Sequence, residues 1–149
     1  MKYLKTYKLF EDIDSILIIH YQEDWEKLKE GITYLSCNNN ELTSLPDLPS
    51  ALEFLYCYDN KLTTLPELPS TLKCLTCENN PLTSLIPEKF FKDQPKSWLK
   101  EYINSNIIHW IEEDPSCFSW LEKYLNLENK EKYKHLSNQF GFFDLSGKS

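Results

Sequence analysis

The feature that most constrains the fold is a 20-residue period in the middle of the chain. Leucine recurs with this period, a cysteine follows each leucine by two positions, and an asparagine follows it by five. The residues in phase are Leu35, Leu55 and Leu75, then Cys37, Cys57 and Cys77, then Asn40, Asn60 and Asn80. So short a unit forms one strand and a return path, and it buries its apolar side only by stacking on a copy of itself. The period therefore predicts a solenoid that presents a surface.

Three copies read apolar-x-x-Leu-x-Cys-x-x-Asn-x-Leu-x-x-Leu, and they span residues 32–46, 52–66 and 72–87. The asparagine amide both donates and accepts hydrogen bonds, so stacked asparagines can bond the backbone groups exposed where each strand bends. An asparagine ladder is the expected result. Leu-Pro pairs in the returns hold the backbone extended, which predicts a convex side without full helices.

The Leu-Pro-x-Leu-Pro-x-x-Leu-x-x-Leu frame resembles the leucine-rich repeats of secreted effectors from Gram-negative pathogens. It also resembles repeat proteins of large DNA viruses and phages, in which the sixth consensus position is often cysteine. The resemblance covers residues 32–87 and implies an α/β repeat fold, a three-coil leucine-rich-repeat solenoid that binds other proteins. The third copy departs from the frame at Leu85-Ile86-Pro87-Glu88, where we expect the array to end.

The flanking segments, 1–31 and 88–149, are expected to cap the array and to form one cooperative domain with it. Phe10, Ile13, Ile16 and Leu17 have roughly helical spacing, which favours a helix here, although the apolar run within 15–21 could equally be a strand. Trp25 and Leu28 could form a second apolar stripe that ends at Gly31.

The segment after the array is expected to be a compact helical cap. An apolar stripe with helical spacing comprises Trp98, Leu99, Tyr102, Ile103, Ile107, Trp110 and Ile111. Asp114-Pro115 reads as an N-cap followed by proline at the first helical position. Helical spacing continues through Phe118, Leu121, Tyr124 and Leu125, and a last helix is predicted over 128–140, ending at Gly141.

Charge narrows the class of partner. The net charge is −7, and all 16 basic residues are lysine, so the chain lacks the guanidinium fork that reads guanine and grips phosphate. This balance argues against a nucleic-acid partner. The N-terminal sequence shows no signal-peptide core, and the longest apolar run, 16–19, is far shorter than the ~20 residues of a membrane span. We therefore predict a cytoplasmic protein without a membrane partner.

The cysteines are interpreted as packing residues rather than as ligands or nucleophiles. Cys37, Cys57 and Cys77 should point into the solenoid, where a free thiol packs as a small hydrophobe. Neighbouring coils lie ~4.8 Å apart, a spacing that does not exclude a disulfide. Cys74 and Cys77 are three residues apart on a strand and should face opposite sides, so they make no metal pair. No cofactor or metal site is predicted.

Enzymatic activity is not expected. Some of the effectors carry a ubiquitin-ligase domain whose catalytic cysteine is followed two residues later by aspartate. Here Cys117-Phe118-Ser119 lacks the aspartate, and the segment after Pro87 is too short for such a domain. A pairing of Cys117 with His109 as nucleophile and base has no third orienting residue. Glycine occurs at only three positions, so no phosphate-binding loop is predicted.

Strand alternation identifies the concave face as the candidate binding surface. Its outward residues are Tyr34, Ser36 and Asn38, then Phe54, Tyr56 and Tyr58, then Cys74, Thr76 and Glu78. The predicted contact residues are Tyr34, Phe54, Tyr56, Tyr58, Asp59, Thr76 and Glu78, with the two acids favouring a basic partner surface. Exposed aromatic residues mark contact sites. Alternatively, the caps cover these rings, or the rings stack only on each other.

The sequence thus predicts a non-enzymatic protein-binding module, plausibly a viral or phage factor that occupies a host protein. One alternative is a structural or assembly subunit that associates with itself through the same face. A second is a small enzyme built on the helical C-terminal segment. The sequence leaves the oligomeric state open.

Overall fold

The parallel sheet at the centre of the fold has four strands. A computed structural model describes residues 14–125, and in it the strands follow the chain in the order β1-β2-β3-β4. The strands are β1 Ile16–Ile18, β2 Tyr34–Ser36, β3 Phe54–Tyr56 and β4 Cys74–Thr76. Four short 3₁₀ helices and two α-helices complete the described fold. The α-helices are α1 Lys96–Glu113 and α2 Phe118–Leu121, and the 3₁₀ helices are Gln22–Lys27, Glu88–Asp93, Pro115–Cys117 and Glu122–Tyr124.

The register of the sheet follows the 20-residue period. Leu35 pairs with Leu55, and Leu55 pairs with Leu75, so that equivalent residues of successive copies lie side by side. All three leucines are fully buried, as are the three cysteines two positions later. A parallel repeat sheet with helices agrees with the α/β repeat fold predicted from the period.

The first strand corrects the prediction for the N-terminal cap. The helix expected across Ile16 and Leu17 is wrong, because these residues form β1 and pair with β2 in the register Ile16 to Tyr34. The strand alternative is the right one: Leu17 is buried while its two neighbours are exposed. The apolar run is short and its helical spacing is weak. Hydrogen bonding to the edge of β2 therefore determines its conformation. The sheet therefore has one strand more than the three predicted coils supply.

The rest of the predicted N-terminal cap is only partly described. Phe10 and Ile13 lie outside the described residues. Trp25 lies in the first 3₁₀ helix, and Trp25 and Leu28 are partly buried against the core. Gly31 has a φ of 94°, a left-handed conformation that favours glycine, where the chain turns towards β2.

The predicted asparagine ladder is present. The side-chain nitrogen of Asn60 donates to the backbone carbonyls of Cys37 at 3.0 Å and Cys57 at 2.9 Å. Its side-chain oxygen accepts from the backbone amide of Asn40 at 2.9 Å. Asn80 repeats the pattern one coil later, donating to Cys57 and Cys77 at 3.0 Å. Each asparagine thereby joins its own coil to the preceding one.

The residue before each ladder asparagine adopts a left-handed conformation. Asn39, Asp59 and Asn79 have φ values of 57°, 57° and 56°, a region that asparagine and aspartate tolerate better than other side chains. The strand ends there, and the chain turns so that the next asparagine points inward. The return paths that follow, from 61 to 70 and from 41 to 50, contain no helix, as the prolines predict.

Two side chains after the last repeat bond to β4 where a fifth strand would pair. Asp93 accepts a hydrogen bond from the Leu75 amide at 3.1 Å. Gln94 accepts from the Cys77 amide at 3.0 Å and donates to the Leu75 carbonyl at 2.7 Å. Gln94 is itself buried. The sheet therefore ends with satisfied backbone groups instead of an open edge, which would be prone to pair with another chain.

Helix α1 closes the return path of the third copy in the same way. Three of its side chains bond to consecutive carbonyls: Asn106 donates to Leu82 at 3.1 Å, Trp110 donates to Thr83 at 2.8 Å, and the Tyr102 hydroxyl donates to Ser84. A further coil would otherwise bond to these carbonyls, since the Thr83 amide bonds to the Thr63 carbonyl of the preceding coil at 2.9 Å.

The helical stripe predicted for the C-terminal cap is confirmed within α1. Leu99, Tyr102, Ile103, Ile107, Trp110 and Ile111 are buried there, and Trp98 is partly buried against the core. The Asp114 carboxylate accepts from the Ser116 amide, with Pro115 at the first position of the next turn, as predicted. The helix expected over 128–140 lies outside the described residues. No helix in 14–125 has the length and hydrophobicity needed to cross a membrane.

The inward assignment of the repeat leucines predicts a large difference between two substitutions in the middle coil. Leu55→Ala should lower the free energy of unfolding by about 2 to 5 kcal/mol, because it leaves a cavity between two stacked leucines. Lys61→Ala should cost roughly 0.5 kcal/mol, since Lys61 is exposed and pairs with Glu41 only at 3.9 Å. Urea unfolding of both variants measures the difference, and equal stability would contradict the assignment.

The bonds from Asp93, Gln94 and α1 predict that the repeats depend on the cap. A fragment ending at Pro87 should fail to fold, because it exposes the edge of β4 and the apolar end of the stack. Circular dichroism and a thermal melt on the purified fragment test this. A soluble fragment with a cooperative transition would show instead that 88–149 is a separate domain.

Candidate functional site

The outward side chains of the four strands form two rows across the concave face. The register aligns the first row as Ile16, Tyr34, Phe54 and Cys74, and the second as Ile18, Ser36, Tyr56 and Thr76. Sequence reasoning missed the two isoleucines, because it favoured a helix there. Ile16 is 42% exposed and Ile18 is 48% exposed, so the surface is apolar at its β1 side.

Three aromatic residues of the concave face, Tyr34, Phe54 and Tyr56, form one connected cluster. The ring of Tyr34 lies 6.2 Å from that of Phe54 and 5.1 Å from that of Tyr56, in tilted arrangements. Tyr34, Phe54, Tyr56 and Tyr58 are all half-buried. The alternative that the rings stack on each other is therefore true in part, and each ring still has a solvent-accessible surface. Stacking holds the side chains in place, which lowers the entropy lost when a partner binds.

At its β4 side the concave face is polar and acidic. Burial, with a smaller contribution from the Asp59 carboxylate, raises the pKa of Glu78. One Glu78 carboxylate oxygen and the Thr76 hydroxyl oxygen are buried, and neither has a hydrogen-bond partner among the described residues.

Asp59 lies at the end of β3 rather than on the strand itself. Its backbone has the left-handed conformation described above, and its side chain is exposed. Its carboxylate accepts a hydrogen bond from the side-chain amide of Asn79 at 2.7 Å. The structure thus brings Asp59 near enough to Glu78 for its carboxylate to raise the pKa of Glu78.

A small polar group lies where the concave face meets the C-terminal cap. Burial and contact with the Cys74 thiol raise the pKa of Tyr56, and burial and the Asp93 carboxylate raise the pKa of Cys74. Both groups are therefore neutral at pH 7, and Cys74 carries a thiol rather than a reactive thiolate. Asp93, which also bonds to β4, thus helps to keep Cys74 in its protonated form, which is a poor nucleophile.

The remaining cysteines are packed in the core. Cys37, Cys57 and Cys77 are fully buried and free, and burial raises the pKa of Cys37 to about 12. Cys74 and Cys77 face opposite sides, as the strand alternation predicts. Burial also raises the pKa of Cys117 to about 11, which keeps this thiol protonated. Within residues 14–125, no three His, Cys, Asp or Glu side chains are grouped as they would be in a metal site.

Comparison with known proteins agrees with the repeat architecture. Residues 30–70 match a family described as Leucine Rich repeats (2 copies), a span that contains the first two predicted copies. The match supports a leucine-rich-repeat protein. Such repeats generally mediate protein–protein interaction and are typically non-enzymatic. Searches of curated proteins and of solved structures found no match.

The different environments of the five cysteines predict selective alkylation. In the native protein we expect a maleimide to modify Cys74, which is half-buried, and to leave the four buried thiols unmodified. The rate should rise with pH into the alkaline range, because the raised pKa of Cys74 keeps the thiolate scarce near pH 7. Intact mass before and after unfolding counts the adducts. Cys74→Ser should abolish native labelling, and several adducts on the native protein would contradict the inward assignment.

Proposed function

We propose that the protein is a non-enzymatic binding module whose concave face holds a partner protein. The observation that carries the proposal is the continuous outward row from Ile16 through Tyr34 and Phe54 to Cys74, beside the row that contains Tyr56. Contiguous apolar and aromatic residues on a surface mark interaction sites. A row of this kind on a rigid sheet offers a large contact area with little loss of side-chain entropy.

The two sides of the face favour a partner of mixed character. The β1 side offers Ile16 and Ile18, which suit apolar side chains. The β4 side offers the half-buried Glu78 and the exposed Asp59, whose negative charges suit lysine or arginine. A partner with an apolar patch next to a basic patch fits both sides. Nucleic acid fits poorly, because the face is acidic and the chain contains no arginine.

We further propose that the protein is a viral or phage factor that acts on a host protein in the cytoplasm. The repeat frame with cysteine at its sixth position supports this origin through its resemblance to viral and phage repeat proteins. A reducing compartment would keep Cys37, Cys57 and Cys77 as thiols, although neighbouring strands are close enough for a disulfide.

Truncation of the central ring of the concave face tests the proposed site. Tyr56→Ala should weaken partner binding by about 2 kcal/mol, or about thirtyfold in Kd, because anchoring aromatics carry much of the energy of an interface. The free energy of unfolding should fall by only about 1 kcal/mol through the lost contact with Tyr34. Affinity purification with the intact protein supplies the partner, and titration calorimetry with the purified pair gives the Kd.

Tyr21→Ala is the matched control, since Tyr21 is 69% exposed and lies outside the strands. It should leave binding unchanged. Unaltered binding by Tyr56→Ala, or equal losses in both variants, would place the contact elsewhere. Sedimentation at several concentrations addresses the alternative of an assembly subunit, because self-association through this face would be reduced by Tyr56→Ala.

A further inference from the structure

A second surface, separate from the concave rows, lies on the C-terminal cap. A groove of about 390 Å³ runs between the 3₁₀ helix Glu88–Asp93, the first turns of α1 and the last described turn. The residues that line it are Phe91, Lys92, Gln94, Lys96, Leu99, Lys100, Lys123 and Tyr124. Four of the eight are lysine and none is acidic. This concentration is unexpected in a chain with a net charge of −7.

The lysines of the groove are largely uncompensated. Lys123 pairs with Glu88 at 3.2 Å. Lys92, Lys96 and Lys100 form no ion pair with any residue in 14–125, and all three are exposed. Of the five other lysines in 14–125, Lys27, Lys61 and Lys73 each pair with a carboxylate, whereas Lys29 and Lys89 do not. Three like charges placed around one groove repel each other, and an anionic ligand would relieve that repulsion.

The floor of the groove is apolar. Phe91 and Leu99 are buried beneath it, and the ring of Tyr124 lies 4.8 Å from that of Phe91 with 36% of its surface exposed. A simple inorganic anion would use the lysines and leave the exposed part of the Tyr124 ring in contact with water. An occupant that carries both negative charge and an apolar side chain would use both parts of the groove.

We propose that this groove docks an acidic segment of a partner protein. Carboxylates of the segment pair with Lys92, Lys96 and Lys100, and an apolar side chain packs on the exposed ring of Tyr124, which Phe91 supports from below. A nucleic acid is less well matched, because a long polyanion would meet the acidic remainder of the chain, whereas a short acidic segment meets only the groove. The charge preference is opposite to that of the concave face.

A labelled peptide rich in glutamate with one central phenylalanine is the probe. Fluorescence anisotropy should show saturable binding to the full chain that weakens as salt rises. The double variant Lys96→Gln/Lys100→Gln should raise the Kd about tenfold through the loss of two charges. The matched control Lys61→Gln/Lys73→Gln changes the net charge equally and should leave the Kd unaltered. A thermal melt of each variant verifies folding.

Two further binding measurements distinguish an acidic protein segment from other ligands of the groove. Replacing the phenylalanine of the peptide by serine should weaken binding, and unchanged affinity would overturn the proposal, because only general charge attraction would remain. A single-stranded oligonucleotide that binds more tightly than the peptide would overturn it in favour of a nucleic acid. Equal losses in the two double variants, or no peptide binding, would also overturn it. Tyr56→Ala should not affect peptide binding, so this test is independent of the concave face.

Discussion

The rest of the structure depends on satisfying the backbone groups at the point where each strand ends. A buried amide or carbonyl without a partner costs about 1 to 3 kcal/mol, and a coil of 20 residues exposes several such groups at every turn. Asn60 and Asn80 solve this by bonding to carbonyls of their own coil and the coil before it. Leucine packing supplies the driving force, and the asparagines bond each coil to the coil before it.

The same requirement explains the end of the array. After the third copy there is no further asparagine in phase, and the backbone of β4 still needs partners. Gln94 supplies the hydrogen bonds that a further coil would make. Its side-chain oxygen accepts from the Cys77 amide, and its side-chain nitrogen donates to the Leu75 carbonyl. Tyr102, Asn106 and Trp110 do the same for the return path. The segment after the repeats thus covers the end of the stack through hydrogen bonds to its backbone as well as through apolar contacts.

The sequence predicts the periodic part of this fold well and the ends less well. A leucine recurs at the same position in each of the three copies, at Leu35, Leu55 and Leu75. Its phase identifies the strands, the inward side and the concave face. Ile16 belongs to a strand without the repeat consensus, and its short apolar run carries no period that separates strand from helix. The roles of Gln94 and Asn106 depend on contacts across 17 to 24 positions of the chain, which no local pattern encodes. The lysine groove was missed for the same reason, because Lys123 joins Lys92 and Lys96 only after folding.

Inward and outward side chains of each strand have different roles, and this difference bears on the proposed binding surface. Inward positions carry the same residues in every copy, whereas the outward positions aligned by the sheet differ: Ser36, Tyr56 and Thr76 occupy one row. Because the inward leucines, cysteines and asparagines determine the backbone, an outward substitution changes the chemistry of the surface with little effect on the coil that supports it. The concave face can therefore be apolar beside β1, aromatic at its centre and acidic beside β4 without disturbing the stack. The residues that the repeat consensus leaves free therefore determine the chemistry of the proposed binding surface.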